Sequence, residues 1–415
     1  MNDPTVLLTP QGQELLARLA VEDSRSGLAL ATSLRREYPA SLVAAATAQH
    51  ELRLAARAKF SRAMEMLFTR AGYEQSSSET IARYRAGRLG DAHRIADLCC
   101  GIGGDLLALA SGREVLGVDR DETHARLALH NAGVYAVAGN VRTVVADVRD
   151  ISLAGLDAVF IDPARRSGAG TASAGPARRF RAGLSEPPLD WCFALADRVP
   201  AVCVKAAPGL PAELIAPGWE AEFIADGRDL KEAVLWSPAL ATAPPADSGG
   251  PRRATVISAG PATHSLTACP GGPVPLTEPV EYLLDPNPAV TRAGLVEDLA
   301  RSLGGGTAKI DPQIAFLTLD RPARTPFART LHVQYSAPWN EKLFAKRLRE
   351  LGIGAADIRR RGLAGDVDQI HRRLKLAGPN RATIVITRVN DKPWGLICTD
   401  PVGVDLRTLE PAKRH

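Results

Sequence analysis

Acidic residues stand in or at the ends of three successive apolar segments, each predicted to be a strand. The first segment, IADL, contains Asp97, the second, EVLGVD, ends in Asp119, and the third, TVVAD, ends in Asp147. The carboxyl ends of parallel strands meet at one edge of a sheet, where open α/β sheets bind ligands. A carboxylate there can accept hydrogen bonds from an ammonium group, from ribose hydroxyls or from an adenine amine. Each acid taken singly is more often a turn or cap residue.

A glycine-rich turn follows the first of these strands. In DLCCGIGGD, Gly101, Gly103 and Gly104 let the backbone turn tightly and approach a ligand closely. The spacing lacks the third glycine of the G-x-G-x-x-G dinucleotide fingerprint, and Asp97 would repel a pyrophosphate. A ligand with a cationic amino-acid part and no phosphate fits better. The three acids together match the ammonium, ribose and adenine groups of S-adenosylmethionine. The alternative is a tight strand-to-helix turn that binds nothing.

A fourth apolar segment, AVFIDPARR, brings a further carboxylate to the same edge. Asp162 leaves the predicted strand, and Pro163 fixes the turn and removes a competing N–H. A carboxylate with a nearby backbone carbonyl can accept both hydrogens of an exocyclic amine and so orient the nitrogen lone pair toward a methyl group. We therefore predict Asp162 and Pro163 as the catalytic residues, with a plain strand end as the alternative.

Alternating strands and helices must position these residues. The predicted strands of this part are Arg94–Leu98, Glu114–Val118, Val141–Val145, Ala158–Ile161 and Ala201–Lys205. Such alternation implies an α/β fold with a parallel sheet covered by helices on both faces. Two further strands, Glu232–Trp236 and Ala254–Ser258, have no helix between them and are expected to pair antiparallel at one edge.

Longer pieces of sequence around these motifs resemble a known family. They are HNAGVYAV, EQSSSETIARYRA and EYLLDPNPAVTRAGLV. With them the chain resembles the class I S-adenosylmethionine-dependent methyltransferases, and HNAGVYAV is similar to the trimethylguanosine synthase branch, which methylates the exocyclic amine of a guanine in RNA. Over nearly its whole length the chain resembles bacterial methyltransferases that carry a C-terminal THUMP-like domain.

The resemblance implies a domain order. We expect an N-terminal helical domain over residues 1–90 and a methyltransferase domain with a Rossmann-like seven-stranded sheet over 91–262. A linker with a connecting helix is expected over 263–328, and a small α/β THUMP-like domain over 329–402. The last of these is predicted to run β-α-β-α-β-β.

The resemblance also implies roles for individual residues. Asp97, Gly101 and Gly103 would contact the methionine part of S-adenosylmethionine, Asp119 the ribose and Asp147 the adenine. The segment at Ser78 and Glu79 would lie over the cofactor pocket, although the spacing from Ser76 to Glu79 is equally that of a capping box. The whole predicted cofactor-binding set is Ser78, Asp97, Cys99, Gly101, Gly103, Asp119, Arg120, Asp147 and Val148.

The acceptor motif departs from the pattern of amine methyltransferases. They typically have [DNS]-P-P-[YFW], with an aromatic ring that stacks on the target base, whereas Asp162-Pro163 is followed here by Ala164, Arg165 and Arg166. A guanidinium plane can stack on a base, and it can also bind phosphate. Arg165 and Arg166 are therefore predicted to contact the substrate.

Positive charge concentrates in the C-terminal part of the chain. Residues 340–376 contain ten Lys or Arg and five Asp or Glu, although the whole chain has a net charge of only +5. THUMP domains bind RNA, so the resemblance implies that this part grips a phosphate backbone. The predicted RNA-binding residues are Arg359, Arg360, Arg361, Arg372 and Arg373.

Composition excludes several other classes of protein. The chain of 415 residues has no apolar run long enough to span a membrane and no N-terminal signal peptide, so we expect a cytoplasmic protein. Its six cysteines form no C-x-x-C pair, and no metal site is expected. The oligomeric state stays open, and a monomer is compatible with the sequence. Two alternatives to an RNA methyltransferase remain: an acceptor that is a protein or small molecule, and a non-catalytic RNA-binding protein with a relic domain.

Overall fold

A computed structural model describes residues 3–21, 33–165, 185–247, 249–258, 262–363 and 365–401. The chain divides into two compact units, the first formed by residues 1–219 and 234–241, the second by residues 220–233 and 242–415. Of the predicted site residues, Arg166 lies outside the described residues, and only the backbone of Arg165 is described.

The first unit begins with helices that pack through leucine and alanine side chains. Its helices are α1 Pro10–Val21, α2 Ala40–Ala56, α3 Arg70–Gln75, α4 Glu79–Arg88, α5 Leu106–Leu109, α6 Glu122–Val134 and α7 Leu189–Ala194. The side chains of Leu15, Leu16 and Leu19 are buried, so α1 packs through one apolar face.

Parallel strands form the centre of the first unit. They are β1 Arg94–Leu98, β2 Glu114–Asp119, β3 Val141–Val145, β4 Ala158–Ile161 and β7 Ala201–Ala206; two short strands, β5 Ala164–Arg165 and β6 Ser185–Glu186, pair separately. The parallel strands pair in the order β3-β2-β1-β4-β7. All four residues of β4 are buried, as is typical of a parallel strand covered on both faces. The predicted strands are therefore confirmed, and their carboxyl ends form one edge.

Four further strands extend this sheet, and their pairing differs from the prediction. They are β8 Glu220–Asp226, β9 Asp229–Trp236, β10 Arg252–Ile257 and β11 Thr263–Thr267. β10 pairs parallel with β8 and antiparallel with β11, so the expected antiparallel pairing of β10 with β9 is wrong. β8, which the sequence analysis missed, lies between β9 and β10. The sheet has nine strands instead of seven.

The second unit also contains a separate seven-stranded sheet. Its strands are β12 Tyr282–Pro286, β13 Ala308–Lys309, β14 Leu317–Leu319, β15 Ala328–Pro338, β16 Ile353–Arg360, β17 Asn380–Val389 and β18 Lys392–Thr399. They are ordered β13-β14-β12-β15-β18-β17-β16. The segment from β15 to β18 has the predicted β-α-β-α-β-β order. The residues predicted as a linker contribute β11 to β14 instead of an unstructured connection.

Four helices accompany this second sheet. They are α8 Pro288–Ala293, α9 Val296–Leu303, α10 Glu341–Glu350 and α11 Val367–Leu374. The connecting helix expected within residues 263–328 is divided at Gly294, whose φ of +75° ends α8. Phe344 and Leu374 pack with Ile384 on one side of β17, while Val385 packs with Phe316 on the other, so both faces of the sheet are covered.

The described ranges hold neither a membrane-spanning helix nor a metal-binding cluster. No helix there is long and apolar enough to cross a bilayer. The described residues also hold no group of three or more His, Cys, Asp or Glu side chains placed to bind a metal ion.

Candidate functional site

The loop after β1 is held tightly between its neighbours. Cys99, Gly101 and Gly103 have positive φ values of 62°, 54° and 89°, a region that favours glycine. The Cys100 N–H donates to the Val118 carbonyl at 3.0 Å, which ties the loop to β2. A Cβ atom on Gly103 would lie 3.2 Å from Cα of Ala128, so only glycine fits there without displacing α6. The sequence prediction of a tight glycine turn is confirmed by this geometry.

Asp119 links the end of β2 to the same loop. Its Oδ2 accepts from the Gly101 N–H at 2.8 Å, and its Oδ1 accepts from the Asp121 N–H at 2.9 Å. Burial raises the pKa of Asp119, but hydrogen bonds from His124 and from the two backbone N–H groups outweigh this, and the pKa lies below its usual range. The carboxylate is therefore ionised and fixed, and it retains a lone pair for a hydroxyl donor.

Asp97 is a buried carboxylate without a hydrogen-bond partner. The residue is 1% exposed, and within the described part of the chain neither carboxylate oxygen meets a donor. Burial raises the pKa of Asp97 well above its usual range, and three nearby carboxylates, those of Asp105, Asp162 and Asp119, raise it further. A buried acid of this kind is stabilised by a cationic group that donates hydrogen bonds. The site therefore fits a ligand that carries an ammonium.

A buried arginine that the sequence analysis missed stands beside Asp97. Arg85 of α4 is 2% exposed; its Nη2 forms an ion pair with Asp105 and donates to Ser77 Oγ at 2.8 Å. Its guanidinium also lies 5.3 Å from the ring centroid of Phe160. In the sequence Arg85 lies in a short polar helix with three other arginine or acidic residues, so nothing distinguishes it from a surface residue.

The acceptor-side carboxylate is paired with a lysine. Asp162 Oδ2 accepts from Lys205 Nζ at 2.6 Å; the Asp162 side chain is 34% exposed and that of Lys205 12%. The Asp162 N–H donates to the Leu98 carbonyl at 3.2 Å, and Pro163 is buried. Sequence reasoning predicted Lys205 only as a strand residue, because its partner lies 43 positions away.

The segment before α4 does not form the capping box. Ser78 is the N-cap residue, yet its side chain makes no capping hydrogen bond, and its buried Oγ has no partner among the described residues. Glu79 instead accepts from the Ser61 N–H at 2.7 Å and from the Tyr135 hydroxyl at 2.9 Å. Ser76 Oγ donates to the Tyr73 carbonyl at 3.0 Å, so the alternative of a capping box between Ser76 and Glu79 is wrong. Ser78 keeps a buried hydroxyl available to a ligand.

The remaining predicted cofactor residues lie just after the carboxyl ends of β1, β2 and β3. Asp147 Oδ1 accepts from the Arg149 N–H at 2.9 Å, its Oδ2 lies 3.1 Å from Arg149 Nη1, and Val148 is buried. Cys99 lies near Asp119 and Asp162, and burial followed by these carboxylates raises the pKa of its thiol. Arg120 is exposed. Their contacts to a cofactor stay predictions.

The five predicted RNA-binding arginines have different surroundings. Arg359 is exposed, Arg360 donates to the Gly365 carbonyl, and Arg361 Nη2 lies 2.8 Å from Asp285 Oδ1. On α11, Arg372 Nε donates to the Asp368 carbonyl at 3.3 Å, and Arg373 Nη1 lies 3.6 Å from Glu341 Oε2. Their contacts to RNA stay predictions as well.

Comparison with known proteins identifies the family. An uncharacterized S-adenosylmethionine-dependent methyltransferase of Mycobacterium tuberculosis, known from strains CDC 1551 and H37Rv, is 35% identical over 335 residues, which is 78% of this chain and 85% of the relative. The chain belongs to the S-adenosylmethionine-dependent methyltransferases. The cofactor of this methyltransferase is S-adenosylmethionine, and the unpaired Asp97 carboxylate and Ser78 hydroxyl fit its amino-acid part.

Other comparisons agree with this family. A crystal structure of a protein from Porphyromonas gingivalis W83, assigned as a methyltransferase, has the same fold, with a TM-score of 0.71, 20% identity, and coverage of 94% of this chain and 98% of that chain. Family models match three segments of the methyltransferase. They are a domain of unknown function over residues 2–56, RNA cap guanine-N2 methyltransferase over 92–169, and THUMP domain-like over 328–400.

Proposed function

We propose that this methyltransferase methylates a base nitrogen of RNA and that its THUMP-like part grips the RNA. The observation that carries the proposal is the Asp162 carboxylate, which is partly exposed at the carboxyl end of β4 near Asp97. Lys205 binds Oδ2, and among the described residues Oδ1 has no hydrogen-bond donor. One oxygen is therefore positioned for an acceptor N–H, as methylation of an exocyclic or ring nitrogen requires.

RNA as the substrate class is supported by the sequence families and by charge. The model that matches residues 92–169 describes an RNA guanine-N2 methyltransferase, and the model over 328–400 describes a THUMP-like domain. Ten basic residues against five acidic ones between residues 340 and 376 provide the positive charge that phosphate binding needs. These descriptions apply to the two families as a whole, and RNA as the substrate of this chain is our proposal.

The chain's residues contribute positioning more than acid–base chemistry. When bound, S-adenosylmethionine supplies an electrophilic methyl group on its sulfonium. Asp162 Oδ1 would accept an N–H of the base and so direct the nitrogen lone pair toward that methyl group. Lys205 would hold the Asp162 carboxylate in a fixed orientation. Because Asp162 is open to water, the proton that the nitrogen loses can pass to solvent.

The proposal is tested by substitution of Asp162. We expect Asp162→Ala to lose methyl transfer to RNA while its S-adenosylmethionine affinity stays within about twofold, because the carboxylate faces the acceptor. Transfer is measured with methyl-labelled cofactor and total RNA from a strain that lacks the enzyme, followed by nucleoside mass spectrometry. Label in ribose, in protein or in small molecules in place of a base nitrogen would contradict the proposal. Equal loss of cofactor affinity would place Asp162 in the cofactor site instead.

A further inference from the structure

A pocket of about 330 Å³ in the second unit is surrounded by arginines. It is lined by Asp285, Ile358, Arg359, Arg360, Arg361 and Val367. Arg359 and Arg360 end β16 and Arg361 follows them, Val367 begins α11, and Asp285 belongs to β12. Elements far apart in the sequence therefore bring these charges together.

One buried carboxylate organises two of the surrounding guanidiniums. Asp285 is 4% exposed; its Oδ2 accepts from Arg228 Nη2 at 2.8 Å, and its Oδ1 lies 2.8 Å from Arg361 Nη2. The Arg361 guanidinium also lies 4.7 Å from the centroid of the Phe316 ring. Arg228, in the turn between β8 and β9, and Arg361 are thereby fixed in place, as a preformed anion site requires.

The positive charge at the pocket exceeds what Asp285 neutralises. Arg359 is exposed and makes no hydrogen bond or ion pair with any described residue, and Arg360 donates to the uncharged Gly365 carbonyl. Burial lowers the pKa of Arg228, Asp285 raises it, and the nearby Arg359, Arg329 and Arg361 lower it again. Arg329 has its own partner, Asp400, at 2.8 Å. An anion in the pocket would relieve the repulsion among the remaining guanidiniums.

We propose that this pocket binds a phosphate group of the RNA substrate, with Arg359 and Arg360 as the contacting residues and Asp285 as a positioning residue for Arg228 and Arg361. The inference rests on the proposed function and adds a specific site to it. Guanidinium groups present planar pairs of donors that match phosphate oxygens, and clustered arginines suit phosphate better than lysines do. Arg228 and Asp285 lie outside residues 328–400, so the THUMP-like match alone does not indicate this pocket.

The test uses the full chain and a fluorescently labelled, mixed-sequence single-stranded RNA. Binding is measured by fluorescence anisotropy between about 50 and 200 mM NaCl, because each phosphate contact contributes about 0.7 to the salt slope on single strands. We expect Arg359→Ala to weaken binding about tenfold and to reduce the slope by about 0.7. The matched control is Arg349→Ala, which removes the same charge from an exposed position on α10 that does not line the pocket. It should change affinity less than about twofold.

The outcomes distinguish failure of the inferred phosphate pocket from failure of the proposed function. Equal, small losses in both variants would indicate diffuse attraction and overturn the pocket. If the wild-type protein binds RNA and Arg359→Ala binds equally well, the inference fails while the proposed function stands. If no RNA binds to the wild-type protein, the proposed function itself fails. Inorganic phosphate is tested by calorimetry: saturable binding that Arg359→Ala abolishes, with RNA affinity unchanged, would assign the pocket to free phosphate and overturn the inference.

Discussion

Replacing Asp97 by Asn should weaken cofactor binding and yet stabilise the unliganded protein. The substitution keeps the shape of the side chain and removes an ionisable group that is 1% exposed and has no donor at either oxygen. A hydrogen bond to a charged group contributes about 1.5–3 kcal/mol, so loss of the ammonium contact should raise the Kd for S-adenosylmethionine about 10- to 150-fold.

The effect on stability has the opposite sign because the pKa of Asp97 is raised in the folded state. The folded protein then holds a proton that the unfolded chain has already lost, and stability falls as pH rises from the unfolded pKa to the folded one. Asn has no such titration. We expect Asp97→Asn without ligand to gain about 1–3 kcal/mol near neutral pH. In a unit of this size that raises Tm by about 2–4 °C per kcal/mol.

Titration calorimetry and thermal denaturation across the neutral pH range provide the two measurements. Wild-type affinity should rise with pH, because Asp97 must lose its proton before it pairs with an ammonium, whereas the affinity of Asp97→Asn should not follow that titration. The matched control is Asp157→Asn, just before β4 at the opposite end of the strand. Asp157 accepts from the Arg94 N–H at 2.7 Å and the His93 N–H at 3.0 Å, which lowers its pKa. That variant should lose stability and bind the cofactor normally. Unchanged affinity in Asp97→Asn, or a lowered Tm as in the control, would refute the reasoning.

Two further substitutions test contacts that the sequence did not indicate. Lys205→Met should lower kcat about 10- to 100-fold with little change in the cofactor Kd, because Asp162 loses a charged partner at 2.6 Å. Lys205→Arg should restore part of kcat. A change in the cofactor Kd as large as the change in kcat would contradict the positioning role. Asn131→Ala should cost about 2–4 kcal/mol in a denaturant titration, because Asn131 exchanges two hydrogen bonds with Leu67 and donates a third to the Ile102 carbonyl at 2.9 Å. A loss no larger than that of Asn140→Ala, whose side chain makes one part-buried bond to the Ala110 carbonyl, would show that these bonds contribute little.

The parallel strands could be predicted because their local sequence is sufficient. Each is a short apolar run bounded by turn residues, and β1, β3 and β4 have the predicted bounds. β8 was not predicted because its sequence contains acidic residues. Glu220 and Glu222 are fully buried, and they are stabilised by Arg253 and Thr255, more than thirty positions away. A single sequence gives no sign of such compensation, so the segment did not look like a strand.

In the candidate site, too, the residues in local motifs could be predicted and their charged partners could not. Asp97, the glycine turn and Asp119 are near one another in sequence, and the spacing alone placed them at the carboxyl edge of the sheet. The charged neighbours of these carboxylates lie outside the recognised motifs: Lys205 is 43 positions from Asp162, and Arg85, near Asp97, had no predicted role. Long-range ion pairs leave no local pattern. The part that could not be predicted is therefore the set of charges that balances each recognised carboxylate.

The buried Arg85–Asp105 pair has a consequence for the order in which the chain folds during synthesis. Arg85 leaves the ribosome before its partner, because Asp105 follows it by 20 residues, and Asn131, which binds both Leu67 and Ile102, follows later still. A guanidinium buried without its partner is strongly unfavourable. α4, which carries Arg85, and the segment at Leu67 therefore cannot complete their buried contacts before Asp105 and Asn131 have been synthesised. An excised segment ending near residue 90 would expose the polar groups that these later residues cover.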